Sequence, residues 1–293
     1  MMLCIGQLFI RLKPMRTHTS GLSRDLEVID VLSYAEAFTA GGLGVSRVAE
    51  LTGRDKGQIS RVLKTLESAG LVDRDPQTLR YSLGHRLYSM AMRTKEAHLA
   101  LQSEPRLFEL VAQAQETAHL NVLRGGRVLT IKTVVAAQAL RRSGWDGIVS
   151  AAGSTASGRA MLAGLGDDEI ELWWHEHAED SPLPTVPEED LEPLEPINRK
   201  VKRQLPAKNL KAFLKMLQEV RDLGYAISDG EFQPGIVDAA APVRDASNLV
   251  VAAISTGVPK ERIGDQFDSI GQLVSSAAIK LSTDLGAPII GPA

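Results

Sequence analysis

The sequence predicts an α+β chain of two domains: a small N-terminal winged helix-turn-helix, and a larger domain with a mostly antiparallel sheet. Three observations carry this. Residues 21–84 read as helix, short helix, tight turn, helix and hairpin, in that order. Residues 104–288 mix strand and helix patterns without clean βαβ alternation, which favours an antiparallel sheet. The length, 293 residues, exceeds the commonest single-domain size and suits two unequal domains.

The N-terminal twenty residues, MMLCIGQLFIRLKPMRTHTS, place Arg11 and Lys13 after an apolar stretch that Gln7 interrupts. A secretory signal has the opposite charge order. Residues 1–20 are therefore read as a disordered tail, residues 1–14 as dispensable, and Met15 as the candidate initiator. The first helix is expected to start near Ser23, a good N-cap, and to run through Leu26, Ile29 and Leu32 to about Ala37. The stretch TAGGLG ends it. Val45, Val48 and Ala49 then mark a short helix that stops at Gly53. A third helix starts near Lys56, with Ile59, Val62, Leu63 and Leu66 on one buried face, and Gly70 closes it. LVDR and LRYSL, joined by DPQT, form the hairpin.

A helical region over 84–116 follows, with a break expected before Pro105; its first part, 85–103, is the linker helix. Two β-branched runs, 119–123 and 127–135, flank Arg124-Gly125-Gly126 and predict a hairpin. A helix is expected over 156–165. From Asp167 to Glu195 there are twelve acidic residues and no Lys or Arg; from Arg199 to Lys215 there are seven basic residues and no acid. With six prolines between Pro182 and Pro206, this reads as a solvated surface insertion leading into a helix over 210–223. Strands are expected over 225–228, 235–243 and 250–255, and a last amphipathic helix carries Phe267, Ile270, Val274, Ala277 and Leu281.

Composition sets limits on function. Net charge is −3, so any nucleic-acid reading must rest on local charge. The charge is in fact uneven: residues 21–53 hold two basic and five acidic side chains, residues 54–86 seven basic and four acidic. One cysteine, Cys4, rules out an internal disulfide framework and a Cys-based zinc site, and fits a cytoplasmic location. No apolar run is long enough to span a membrane.

The third helix carries the strongest functional pattern. At about 100° per residue, its apolar positions fall within about 60° of Ile59. The opposite face collects Gly57, Arg61, Lys64 and Ser68, flanked by Gln58, Ser60 and Thr65, with Lys56 at its start. Arg bonds guanine bidentately, Gln reads adenine, and Ser or Thr holds phosphate, so this face suits double-stranded DNA. Arg74 and Arg80 of the wing are candidate phosphate contacts.

Here the residues resemble a known family. "RVAELTGRDKGQISRVLKTLESAGLVDRDPQTLRYSLGHRLYSMA" looks like the DNA-binding domain of IclR-type bacterial transcriptional regulators. The family's pattern is matched at Arg61, Leu63, Leu66, Glu67, Gly70, Arg74, Asp75, Tyr81, Leu83 and Gly84. Further on, "STASGRAMLA" resembles "aTAlGrAlLA", and "VRDLGYAISDGEFQPGIVDAAAPVRD" resembles "vR..Gya.sdgE...Gi.aiAaPVrd". The resemblance implies a GAF-like effector domain over 104–288 and a homodimer or tetramer on a pseudo-palindromic operator. It implies a small organic effector, an aromatic or short-chain acid, and no cofactor. Carried over motif by motif, the effector pocket comprises Thr155, Ala156 and Ser157, Ser228 and Asp229, Ile236 and Asp238, and Ser255. The helix N-terminus after Gly153-Ser154-Thr155 presents free N–H groups that suit a carboxylate. Two departures stand out: Ala151 and Gly153 replace the family's Pro and His, and Asp238 adds a negative charge to the pocket.

Enzymatic patterns are weak. There is no Gly-x-Ser-x-Gly elbow and no phosphate-binding Gly-x-x-x-x-Gly-Lys loop. His175, Glu176, His177 and Glu179 have ligand chemistry but lie in the acidic run, and are read as solvated rather than as a metal site. The alternative to a regulator is a small-molecule hydrolase or lyase using Asp229, Glu231 and Ser157, with an accessory helical domain.

Overall fold

Helix α1 (Gly21–Leu32) is capped by Ser20, whose hydroxyl accepts the Ser23 N–H at 3.2 Å. The cap therefore lies three residues before the expected one. The helix buries Val28, Val31 and Leu32, while Leu26 is exposed. It also stops early. Ser33 and Tyr34 donate to carbonyls only three residues back, Asp30 and Val31, which tightens the last turn, and α2 (Ala35–Thr39) starts afresh. The structure is a computed structural model describing residues 20–137, 146–180, 207–264 and 266–288; the expectations for residues 1–19 and 181–206 lie outside these. The chain divides after His98 into two compact units.

In the first unit, α3 (Val45–Thr52) ends at Gly53, which adopts a left-handed φ of 64°. Asp55 caps α4 (Lys56–Ser68) by accepting the Gly57 and Gln58 N–H groups. Val28, Val48, Ile59, Leu63, Val72 and Tyr81 join in one core that fixes α4 against α1 and α3. Strands β1 (Val72–Arg74) and β2 (Tyr81–Leu83) pair antiparallel as the wing. Asp75 holds their turn by accepting the N–H groups of Gln77 and Thr78.

The expected linker helix over 85–103 is in fact two helices, α5 (His85–Ala91) and α6 (Lys95–Ala114). The break falls at 92–94, not before Pro105. Thr94 starts α6: its hydroxyl accepts the Ala97 N–H at 3.2 Å and donates to the Ala91 carbonyl at 2.7 Å. Pro105 lies inside α6.

The second unit is built on one sheet: β3 (Ala118–Arg124), β4 (Arg127–Val134), β5 (Val149–Ala151), β6 (Ala226–Asp229), β7 (Ile236–Arg244) and β8 (Val250–Pro259). Their order is β5-β4-β3-β8-β7-β6, and every neighbouring pair is antiparallel. Strand β8 runs four residues past its expected end. Alternation sorts the side chains. Leu120, Val122, Ala239, Ala241, Ala252 and Ile254 pack with Leu107 and Leu110 of α6 and with the face of α11 (Phe267–Asp284). Val128, Ala240 and Ala253 pack instead with α7 (Ala156–Leu162), α8 (Asp167–His177) and α9 (Leu210–Leu223). The acidic run thus begins as a helix rather than a loop: α8 buries Ile170 and Trp173, and Trp173 stacks on Phe213 of α9 with ring centroids 5.4 Å apart.

Candidate DNA-reading surface and ligand pocket

The side chains of α4 fall as the rotation predicts. Ile59 and Leu63 are fully buried, and Val62 and Leu66 partly so. Lys56, Gly57, Gln58, Arg61, Lys64 and Thr65 are exposed, and Ser60 half-buried. The cations of this unit differ in how far they are committed. Arg47 pairs with Glu36 and Glu50, Arg54 with Asp25, and Arg86 donates to the Ala69 carbonyl. Arg80 donates to the Ala40 carbonyl, and Arg74 stacks over the Tyr81 ring at 5.3 Å. Arg80 therefore also ties the wing to the body, and Arg74 braces the two wing strands. Among the described residues, the side chains of Lys56, Arg61 and Lys64 have no hydrogen-bond or ion-pair partner, so α4 presents its charges uncommitted.

In the second unit, the face of the sheet that carries α7 leaves a cavity of about 340 Å³. Thr155, Ala156, Ser157, Ile236, Asp238 and Ser255 all line it. Ser228 and Asp229 do not. Ser228 pairs with Asp238 across β6 and β7 and is fully buried, and Asp229 is exposed and bonded to Lys260 at 2.5 Å. The N–H groups of the first turn of α7 are less open than expected, because Thr155 caps the helix by accepting the Gly158 N–H at 3.1 Å. Gly158 itself permits the sharp approach: a Cβ there would lie 2.1 Å from the Ala152 carbonyl oxygen.

The floor of the cavity is a polar network that sequence reasoning missed. Asn121 donates through Nδ2 to Ser157 at 3.1 Å and to Ser255 at 2.9 Å, and Thr130 donates to its Oδ1 at 2.9 Å. A bulge between Leu120 and Asn121 interrupts the pairing of β3 with β4 at this point. His119, Glu116, Phe232 and Gln233 also line the cavity. Burial pushes the His119 imidazole down to about 4, so it is neutral at physiological pH. Burial, reinforced by the charge of Glu231, pushes the Asp238 carboxyl up to about 7. The sequence holds only a partial signal for this floor: His119 and Asn121 alternate with Ala118, Leu120 and Val122 along β3, and Thr130 stands between Leu129 and Ile131.

The two carboxylates invoked for hydrolase or lyase chemistry are committed elsewhere, and the serine sits in the cavity floor, held by Asn121. Asp229 pairs with Lys260, Glu231 forms a two-pronged ion pair with buried Arg159, and Ser157 accepts from Asn121. His177 stacks on Trp173 and bonds Asp180 at 3.1 Å, while His175 is exposed.

Comparison with known proteins gives the same picture. Residues 22–76 match the IclR helix-turn-helix domain, and residues 91–197 and 202–283 match the bacterial transcriptional regulator IclR C-terminal domain. The regulator XynR of Escherichia coli is 25% identical over 274 residues, spanning 91% of this chain and 97% of XynR. The regulator KdgR of Escherichia coli is 24% identical over 83% of this chain and 86% of its own length. An IclR homolog from Microbacterium hydrocarbonoxydans, solved with 4-hydroxybenzoate, superposes with a TM-score of 0.71 at 19% identity, covering 91% of this chain and 99% of that one. With both domain models matched across most of its length, the chain belongs to the IclR family of bacterial transcriptional regulators, DNA-binding proteins rather than enzymes.

Proposed function

We propose that the chain is a repressor whose α4 reads a pseudo-palindromic operator and whose cavity takes a small organic effector. Residues 21–84 serve DNA, 85–103 link, and 104–288 sense. The observation that carries this reading is the uncommitted cationic face of α4. Repression is supported by a relative, AllR of Escherichia coli, that is a transcriptional repressor, and a small-molecule effector by the homolog solved with 4-hydroxybenzoate. Arg61→Ala is expected to cost about 1–3 kcal/mol per half-site and to relax specificity at one operator position. Lys64→Ala is expected to weaken specific and scrambled DNA alike and to lower the salt slope by about one unit per subunit. Binding measured at several salt concentrations, with DNA from beside the chain's own gene, checks both. Unchanged affinity in both variants would remove α4 as the reader.

The chain is further proposed to act as a homodimer or tetramer. No residue of α5 is buried, and Tyr88, Met90 and Leu101 are all more than half exposed. Such apolar exposure calls for a partner surface, and a two-fold operator calls for a two-fold protein. Met90→Glu is expected to shift light scattering at micromolar concentration toward monomer. A wild-type monomer under the same conditions would refute the assembly.

A further inference from the structure

We propose that the cavity selects an effector bearing an organic cation, a protonated amine or its equivalent, which docks on Asp238; this rests on the effector-pocket reading above. Asp238 lies on β7 directly across from Gly257 of β8. The missing side chain at 257 opens the space beside the carboxylate, since a Cβ there would lie 2.8 Å from Asp238 Oδ1. Its other oxygen, Oδ2, is buried and has no hydrogen-bond partner. A buried carboxylate oxygen without a donor is costly, and a bound cation would supply the missing partner.

The charged groups around it point the same way. No Lys or Arg is among the described residues lining the cavity. Of the cations on neighbouring elements, Arg159 of α7 donates to Glu231 and to the carbonyls of Gly153 and Ile227, and Lys260 bonds Asp229. Glu116, a second carboxylate of the wall, pairs with Arg262. His119 of β3 is neutral, and the position flanking Asp238 on β6 is Ser228. A carboxylate ligand would meet an acidic wall with no free cation, whereas an ammonium would meet an unpaired acceptor. Elsewhere in the lining, Ser157 and Ser255, the latter two residues along β8 from Gly257, accept from Asn121, so their own hydroxyl hydrogens remain to donate. The lining thus suits a short ligand that carries a cation and, close by, a neutral acceptor, a hydroxyl or amide.

Three probes on one ring test this with the full chain: benzylamine, benzyl alcohol and benzoate, titrated by calorimetry. Benzylamine is expected to bind at least about tenfold tighter than benzoate at about pH 8, a gap of about 1.4 kcal/mol. Asp238→Asn is expected to erase that preference. The wild-type affinity for benzylamine is expected to fall at about pH 5.5, where Asp238 holds its proton, and the variant's to stay level. Ser157→Leu, or Ser255→Leu if the first does not fold, is expected to block all three probes. Benzoate binding as well as or better than benzylamine, yet blocked by these leucines, would overturn the cation and leave the pocket. Benzylamine binding that survives the leucines and Asp238→Asn would overturn the pocket as well. No benzylamine binding at millimolar concentration would also overturn the proposal.

Discussion

Replacing Arg159 with Ala is expected to lower the stability of the 99–288 unit by about 2–4 kcal/mol, less than for a fully buried ion pair because the Glu231 left behind is 26% exposed. Arg159 is only 3% exposed, although it is the most polar residue of α7. Its guanidinium holds three things at once. It forms the two-pronged pair with Glu231, bonds the Gly153 carbonyl at 3.1 Å, and bonds the Ile227 carbonyl at 3.2 Å. It therefore ties the turn before α7 to β6 and to the loop that follows it, and both flank the cavity. The alanine variant strands a carboxylate and two carbonyls and leaves a hole beside them. Urea denaturation followed by tryptophan fluorescence reads the loss, because Trp173 and Trp174 both pack against Phe213. The double variant Arg159→Met, Glu231→Gln is expected to lose less than Arg159→Ala alone, since it removes both charges together. A loss under about 1 kcal/mol in the alanine variant would mean that water, not Arg159, satisfies these groups.

Much of the fold was legible because its periods are plain. The face Ile59, Val62, Leu63 and Leu66 placed α4 correctly, and the run from Leu210 to Leu223 marked α9 to the residue. Local chemistry set the limits elsewhere. The first cap was misplaced because Ser20 and Ser23 are equally good caps by type, and only the chain's entry decides which accepts. The break in the linker was expected at Pro105, the residue with no donor. A proline removes only one bond from a helix, whereas Thr94 offers the backbone an alternative partner and starts a new helix. The acidic run masks α8, because that helix buries only Ile170 and Trp173 among its charged residues.

The pocket was half legible. Thr155–Ser157, Ile236, Asp238 and Ser255 were placed by motif resemblance, and all line the cavity. Asp229 was carried over with its neighbours, but residues that alternate along a strand cannot all face one cavity. Its exposed carboxylate meets Lys260 instead. Asn121, Thr130 and His119 could not come from motifs, since they lie on β3 and β4, far from Asp238 in sequence. They become a site only through the strand order, which sets β3 beside β8 and β8 beside β7.

That strand order leads to the second large effect. Asp238→Asn is expected to stabilise the unit at pH 8 and to change it little near pH 4. The folded protein holds the Asp238 proton up to about pH 7, against a usual value of 3.8, because burial foremost and the charge of Glu231 next disfavour the anion. Between those two values the folded state binds more protons than the unfolded state, so stability falls as pH rises through the window and levels off above it. A window of that width corresponds to about 4 kcal/mol at most. Asn does not titrate, so the variant escapes that fall, and its advantage over the wild type grows with pH to about 2–4 kcal/mol. Glu116 and His119, also shifted by burial, titrate in both proteins and cancel in the difference. The measurement is urea denaturation of both proteins at intervals from pH 4 to pH 8, without effector. Parallel profiles would mean that Asp238 ionises at its ordinary value and that its carboxylate is solvated in the free protein. An amine bound to Asp238 should then act on the wild type alone, lifting its profile most where the carboxylate is charged and so closing the gap to Asn from the alkaline side.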